Sequence, residues 1–254
     1  MLKSLINKPE LLEFCNFIKK FNLNKGAKVV GLDFKENYLN FKTYIELQEI
    51  PNSEILTTFL GPNCEEEFKS LIPFWDKKRE SGLAFGIKLD SKNNIKKYFH
   101  IKFKENLDLI MFKKQFLFLN LLKININSLK KGISYEIYSD SNFYKKFYVY
   151  IENPSDIKKV LAYKKLLFNL SIEEIEELEL YATEEAFKIN IVNRNDNFLV
   201  KQNIWQTIPG KYKTPLLEYS QILEAEPMYT GFTTEDIVSV YFSFTNKENN
   251  ILNI

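Results

Sequence analysis

The sequence predicts an α+β fold: a single closed or nearly closed antiparallel barrel of ten strands, built from five helix-flanked β-hairpins over residues 1–254. Three observations predict it. The stretch "KVVGLDFKENYLNFKTYIEL" from Lys28 reads as two alternating strands joined by a charged turn, and it has four relatives along the chain: "GLAFGIKLDSKNNIKKYFHIKF" from Gly82, "GISYEIYSDSNFYKKFYVYI" from Gly132, "AFKINIVNRNDNFLVKQNIW" from Ala186 and a shorter "IVSVYFSFTNKENNILNI" from Ile237. Helical segments fill the intervals, so helices and hairpins alternate with a period of about 50 residues. Within the strands, apolar residues hold one face and Lys, Tyr, Asn and Ser hold the other.

The elements follow in order. "KPELLEFCNFIKKF" spaces Leu11, Leu12, Phe14, Cys15, Phe17, Ile18 and Phe21 for one helical face, with Pro9 suited to the first turn. "SEILTTFLG" and "NCEEEFKSLIPFWDKKRES" read as a broken helical pair, capped by Ser53 and Asn63 and separated by Gly61 and Pro62. Residues 105–130, 153–185 and 213–226 carry further helical patterns. The turns "KENY", "DSKNN", "SDSN" and "NRND" hold the polar residues that hairpin loops favour.

Closing the sheet removes its edges, and helices outside it invert the usual sidedness, so apolar strand faces point outward and polar faces point into a lumen. Read with period two, the second strand sets Leu39, Phe41, Thr43, Ile45 and Leu47 against Asn40, Lys42, Tyr44 and Glu46. The fourth sets Phe99, Ile101 and Phe103 against Tyr98, His100 and Lys102, and the sixth sets Phe147, Val149 and Ile151 against Lys146, Tyr148 and Tyr150. The seventh sets Phe187, Ile189 and Ile191 against Lys188 and Asn190, Lys201 and Asn203 share a face of the eighth, and the ninth sets Val240, Phe242 and Phe244 against Ser239, Tyr241 and Ser243. A short "NILNI" stands as the tenth strand, leaving the barrel either closed or open at that seam.

Composition excludes several classes. The 254 residues are 45% hydrophobic and 27% charged, enough for a sizeable core, and the net charge is only +2. Of 35 basic residues only Arg79 and Arg194 are arginines, which argues against a general nucleic-acid binder. Cys15 and Cys64 form no CxxC and read as buried free thiols, and the lone His100 excludes poly-His metal sites. No apolar run reaches membrane-spanning length, and the start "MLKSLINKPELLEF" lacks a signal-peptide core; the expectation is a cytoplasmic protein with no membrane and no nucleic-acid partner.

Five helix-and-hairpin units with strand pairs such as "GLDFKENYLNFKTYIEL" and "GIKLDSKNNIKKYFHIKF" resemble the ABBA, or PT-barrel, aromatic prenyltransferases, including the cyanobactin peptide prenyltransferases. The resemblance implies a monomeric, cytoplasmic transferase of natural-product biosynthesis that moves a dimethylallyl or geranyl group from its diphosphate to an aromatic small molecule or a peptide side chain. Its partners are then an allylic diphosphate and an aromatic or peptide acceptor. It implies no tightly bound cofactor and no protein-held metal, with Mg2+ accompanying the substrate diphosphate; no DDxxD is present.

On that resemblance Lys42, His100, Lys102, Lys146 and Lys201 bind the diphosphate, with Lys188 a weaker candidate. Tyr44, Tyr98, Tyr148, Tyr150 and Tyr241 shield the allylic cation, since a tyrosine offers both a hydroxyl donor and a ring face. Asp33 is the acceptor-side base and Glu46 the second choice; Asp33 as the cap of the turn before "KEN" stands beside that role. The alternative from another class is a noncatalytic ligand- or peptide-binding barrel, which needs the tyrosines but no convergence of lysines.

Overall fold

The computed structural model describes residues 2–23, 28–35, 38–47, 49–75, 82–90, 94–103, 107–138, 143–168, 188–194, 197–204, 210–232 and 237–243. Two helices, α1 (Leu2–Ile6) and α2 (Pro9–Lys20), precede the hairpin β1 (Lys28–Lys35) and β2 (Tyr38–Leu47). Then come α3 (Ser53–Leu60), α4 (Pro62–Leu71), β3 (Leu83–Asp90) and β4 (Ile95–Phe103). Short helices α5 (Ile110–Gln115) and α6 (Leu117–Leu121) lead to β5 (Lys130–Tyr138) and β6 (Phe143–Ile151). The remainder is α7 (Pro154–Phe168), β7 (Lys188–Arg194), β8 (Asn197–Ile204), α8 (Gly210–Leu223), β9 (Glu226–Phe232) and β10 (Val238–Ser243).

These strands are hydrogen-bonded in the cyclic order β1-β10-β9-β8-β7-β6-β5-β4-β3-β2, every pair antiparallel. The ring joins where Val30 pairs with Phe242 and Phe34 with Val238. Among the described residues its shortest seam is β8–β9, aligned from Gln202↔Phe232 to Ile204↔Thr230. The fifth hairpin corrects the expected assignment. It is Glu226–Phe232 with Val238–Ser243, so "VSVYFS" is the tenth strand and not the ninth. The upstream strand "EPMYTGF" was hidden by its Pro and Gly, which depress strand propensity. "NILNI", Phe187 and Phe244 lie outside the described residues.

The core sits between sheet and helices, outside the ring. Phe99 of β4 meets Phe68 of α4 at 4.1 Å and Phe85 of β3 at 4.4 Å; Phe85 stacks on Phe59 of α3 at 4.6 Å. Phe103 packs edge-on to Phe112 of α5. Each such ring contributes on the order of 2–3 kcal/mol by leaving water. In β2 the residues Leu39, Phe41, Thr43, Ile45 and Leu47 are all buried on this outer face.

Helix ends follow local chemistry. Asn52, one residue before the expected Ser53, caps α3 by accepting from the Ile55 N–H at 2.9 Å. Gly61 ends α3 and starts α4 at φ +76°, a conformation costly for a side chain, and replaces the expected Asn63 cap. Among the described residues, no helix is long and apolar enough to cross a membrane.

Candidate functional site

The inner faces of the strands place polar residues in cross-strand rows. Lys42 of β2 aligns with Lys88 of β3, and Lys88 with Lys96 of β4. The next row aligns Tyr44, Gly86, Tyr98 and Glu136, and the row after that Glu46, Ala84, His100, Ser134 and Lys146. Lys102, Gly132 and Tyr148 form a further row. Glycine recurs beside large side chains for a steric reason. A Cβ at Gly31 would lie 2.5 Å from Lys42 Cε, and one at Gly86 would lie 2.5 Å from the Thr43 carbonyl oxygen and collide with the Tyr98 ring.

Three polar nodes result. In the first, the Lys42 ammonium donates to Asp33 at 2.5 Å, the Asn40 amide donates to the same carboxylate at 3.3 Å, and Ser239 Oγ donates from β10. Lys42 Nζ also lies 4.3 Å from the centre of the Tyr241 ring. Burial works against its charge, but Asp33 and the Tyr241 hydroxyl outweigh that and raise its pKa.

In the second node, Glu136 of β5 accepts from Lys88 and, at 2.6 Å, from Lys146. Lys88 Nζ lies 5.1 Å from the Tyr98 ring centre. Burial would raise the Glu136 pKa, yet the two ammonium groups hold it well below the usual carboxylate range. In the third, His100 Nδ1 is 2.7 Å from Ser134 Oγ and Nε2 is 3.3 Å from the Tyr150 hydroxyl. Burial, then the charges of Lys102 and Lys88, push His100 down to about 3, so the imidazole is neutral at ordinary pH. The Tyr148 ring meets it edge-on at 5.2 Å.

Tyrosines link the nodes. Tyr44 lies 5.8 Å from Tyr98 and 6.3 Å from Tyr241, both edge-on, and Tyr148 stacks near Tyr150 at 6.4 Å. Of the sequence candidates, Lys42, Tyr44, Tyr98 and Tyr241 are thus brought together, as are His100, Lys102, Tyr148 and Tyr150 through contact or charge. Glu46 is half-buried, one row from Tyr44. Lys188 pairs in register with Asn203, and Lys201 with Asn190; their side chains lie outside the described residues. Lys88, Glu136, Ser134 and Asn40 were missed as functional candidates. Lys88 in "GIKLD" and Glu136 in "SYEIY" carry the same period-two signal on the third and fifth strands and were legible there.

No family model and no curated protein matches this chain. The prenyltransferase expectation is corrected on that finding and on the geometry. Membership of the ABBA family has no match behind it, and the PT-barrel label goes with it; what stands is the helix-sheathed ten-strand ring described above. The transferase activity assigned Asp33 as an available base, but Asp33 already accepts from Lys42, Asn40 and Ser239. His100 was an added phosphate donor on condition of protonation, and burial with the neighbouring lysines disfavours that charged form. Lys42 and Lys146 are paired with the wall carboxylates Asp33 and Glu136. Among the described residues no three His, Cys, Asp or Glu side chains gather where they could hold a metal ion.

Proposed function

We propose that the lumen is a noncatalytic binding chamber for an organic anion carrying an aromatic or isoprenoid body. One observation carries this reading: two ammonium groups, Lys88 and Lys146, converge on the carboxylate of Glu136 beside a wall of tyrosines. These ammonium groups lie in a partly desolvated space, where an incoming anion gains more from them than it would in water. Lys102 adds a third cation one strand away from Glu136, and Lys42 and Lys201 are further candidates for the anionic head. Tyr44, Tyr98, Tyr148, Tyr150 and Tyr241 offer ring faces and hydroxyls to the body of the ligand. An allylic diphosphate fits this description, as does an aromatic or peptide carboxylate. Magnesium enters only as the counter-ion of a bound diphosphate.

The test is titration of the full chain with geranyl diphosphate, geraniol and pyrophosphate, followed by tyrosine fluorescence and calorimetry. Saturable binding of the diphosphate ester, at least ~10-fold tighter than either fragment, supports the chamber; Lys146→Met is expected to weaken it by about 10-fold, the scale of one charged hydrogen bond. Failure of all three probes and of a panel of aromatic carboxylates removes the reading.

A further inference from the structure

The two lysines of the second luminal node stand in front of their carboxylate. The Glu136 side chain is 2% exposed, against 17% for Lys88 and 13% for Lys146, so a solute reaches the ammonium groups more readily than the acid behind them. The first node is the reverse: Lys42 is 3% exposed and Asp33 12%, which leaves the carboxylate as the more accessible member. In the second node both lysines donate to one oxygen, Oε1 of Glu136, Lys146 at 2.6 Å. An ammonium carries three N–H donors, so a bond to Oε1 does not exhaust it.

Glu136 acts on these ammonium groups in two opposite senses. It supports them: burial works against the Lys88 charge, and Glu136, ahead of Tyr148 and Asp33, outweighs burial and raises the Lys88 pKa. The same carboxylate repels any anion that the lysines attract. In a partly desolvated space that repulsion is roughly four-fold stronger than in water. A carboxylate placed behind two forward lysines therefore fixes their positions and weakens their pull on a ligand at the same time.

We propose that Glu136 sets the affinity of the chamber: a fixed counter-anion behind Lys88 and Lys146, it keeps both ammonium groups in place and holds down their attraction for an incoming anion, so that the ligand's head is bound reversibly at the lysines without displacing the acid. Resting on the reading of the lumen as an anion chamber, this role makes Glu136 the residue that regulates it.

Calorimetric titration of the full-length parent and of Glu136→Gln with geranyl diphosphate, pyrophosphate and geraniol tests it. Glutamine keeps an oxygen for both lysines and removes only the charge. The variant is expected to bind both anions about 10-fold or more tighter than the parent does, and to bind geraniol with unchanged affinity. A merely structural contact, once lost, would weaken binding, so a gain reports the charge itself. Because the variant is also less stable, ligand-induced shifts in Tm are measured alongside, and geranyl diphosphate should raise the Tm of Glu136→Gln by more than it raises that of the parent. Anion binding in the variant no tighter than in the parent, or a gain for geraniol as large as for the anions, overturns this role of Glu136 and leaves the chamber standing; no saturable binding of any probe to the parent overturns both.

Discussion

The Lys42 ammonium and the Asp33 carboxylate lie 2.5 Å apart, both buried in the barrel wall between β2 and β1. Neither charge is stable there alone, because removing one partner strands the other in a poorly solvated site. Asp33→Asn should therefore destabilise the protein by roughly 3–5 kcal/mol, and the double change Asp33→Leu with Lys42→Met should recover most of the loss. Urea midpoints of the three proteins check this; an unchanged midpoint for Asp33→Asn contradicts it.

Glu136 makes acid stability a readout of the second node. Its carboxyl is held well below its unfolded value of about 4.3 by Lys146 and Lys88, against the effect of burial. A depressed carboxylate contributes stability that is complete above the unfolded pKa and lost as pH falls through the folded one. The parent should lose stability on acidification below about pH 4, whereas Glu136→Gln should be less stable at neutral pH and flatter across the acid range. Thermal unfolding against pH distinguishes the two.

His100 acts over a different pH window. Its folded pKa of about 3 lies below the unfolded value near 6.5, so across that interval the unfolded chain binds the extra proton. Stability should fall as pH drops from about 6.5, by up to ~1.4 kcal/mol per unit for this group, and His100→Gln should remove that part of the slope. Imidazole proton shifts should show a neutral ring at pH 5 in the folded state.

Two glycines should fail for different reasons. Gly86→Ala forces a methyl against the Thr43 carbonyl and the Tyr98 ring, an overpacking loss of roughly 1–3 kcal/mol that should also disturb tyrosine fluorescence. Gly61→Ala meets no atom within 4 Å, yet its φ of +76° with ψ of 163°, a region held almost only by glycine, should still cost roughly 1–3 kcal/mol, with luminal fluorescence unchanged. Denaturant midpoints paired with emission spectra separate the mechanisms.

The sequence by itself determined what depends on local period and turn chemistry. The apolar rows Leu39–Phe41–Ile45 and Phe99–Ile101–Phe103 were legible because side chains alternate across a strand, and both rows are buried. Lys42, Tyr44, Tyr98, His100, Tyr148 and Tyr150 were legible as one polar face for the same reason. The strand "EPMYTGF" was not, because Pro227 and Gly231 break the pattern by which strands are recognised.

Only the tertiary structure decided which polar groups meet. Lys146 reaches Glu136 from the adjacent β6 and Lys88 from β3, two strands away on the other side, and Ser239 reaches Asp33 across 206 positions of sequence, because β10 pairs with β1. Those contacts engage the Asp33 carboxylate with three donors and favour the neutral form of His100. A residue's type is local, but its charge and its available lone pairs depend on neighbours brought close by the register between distant strands.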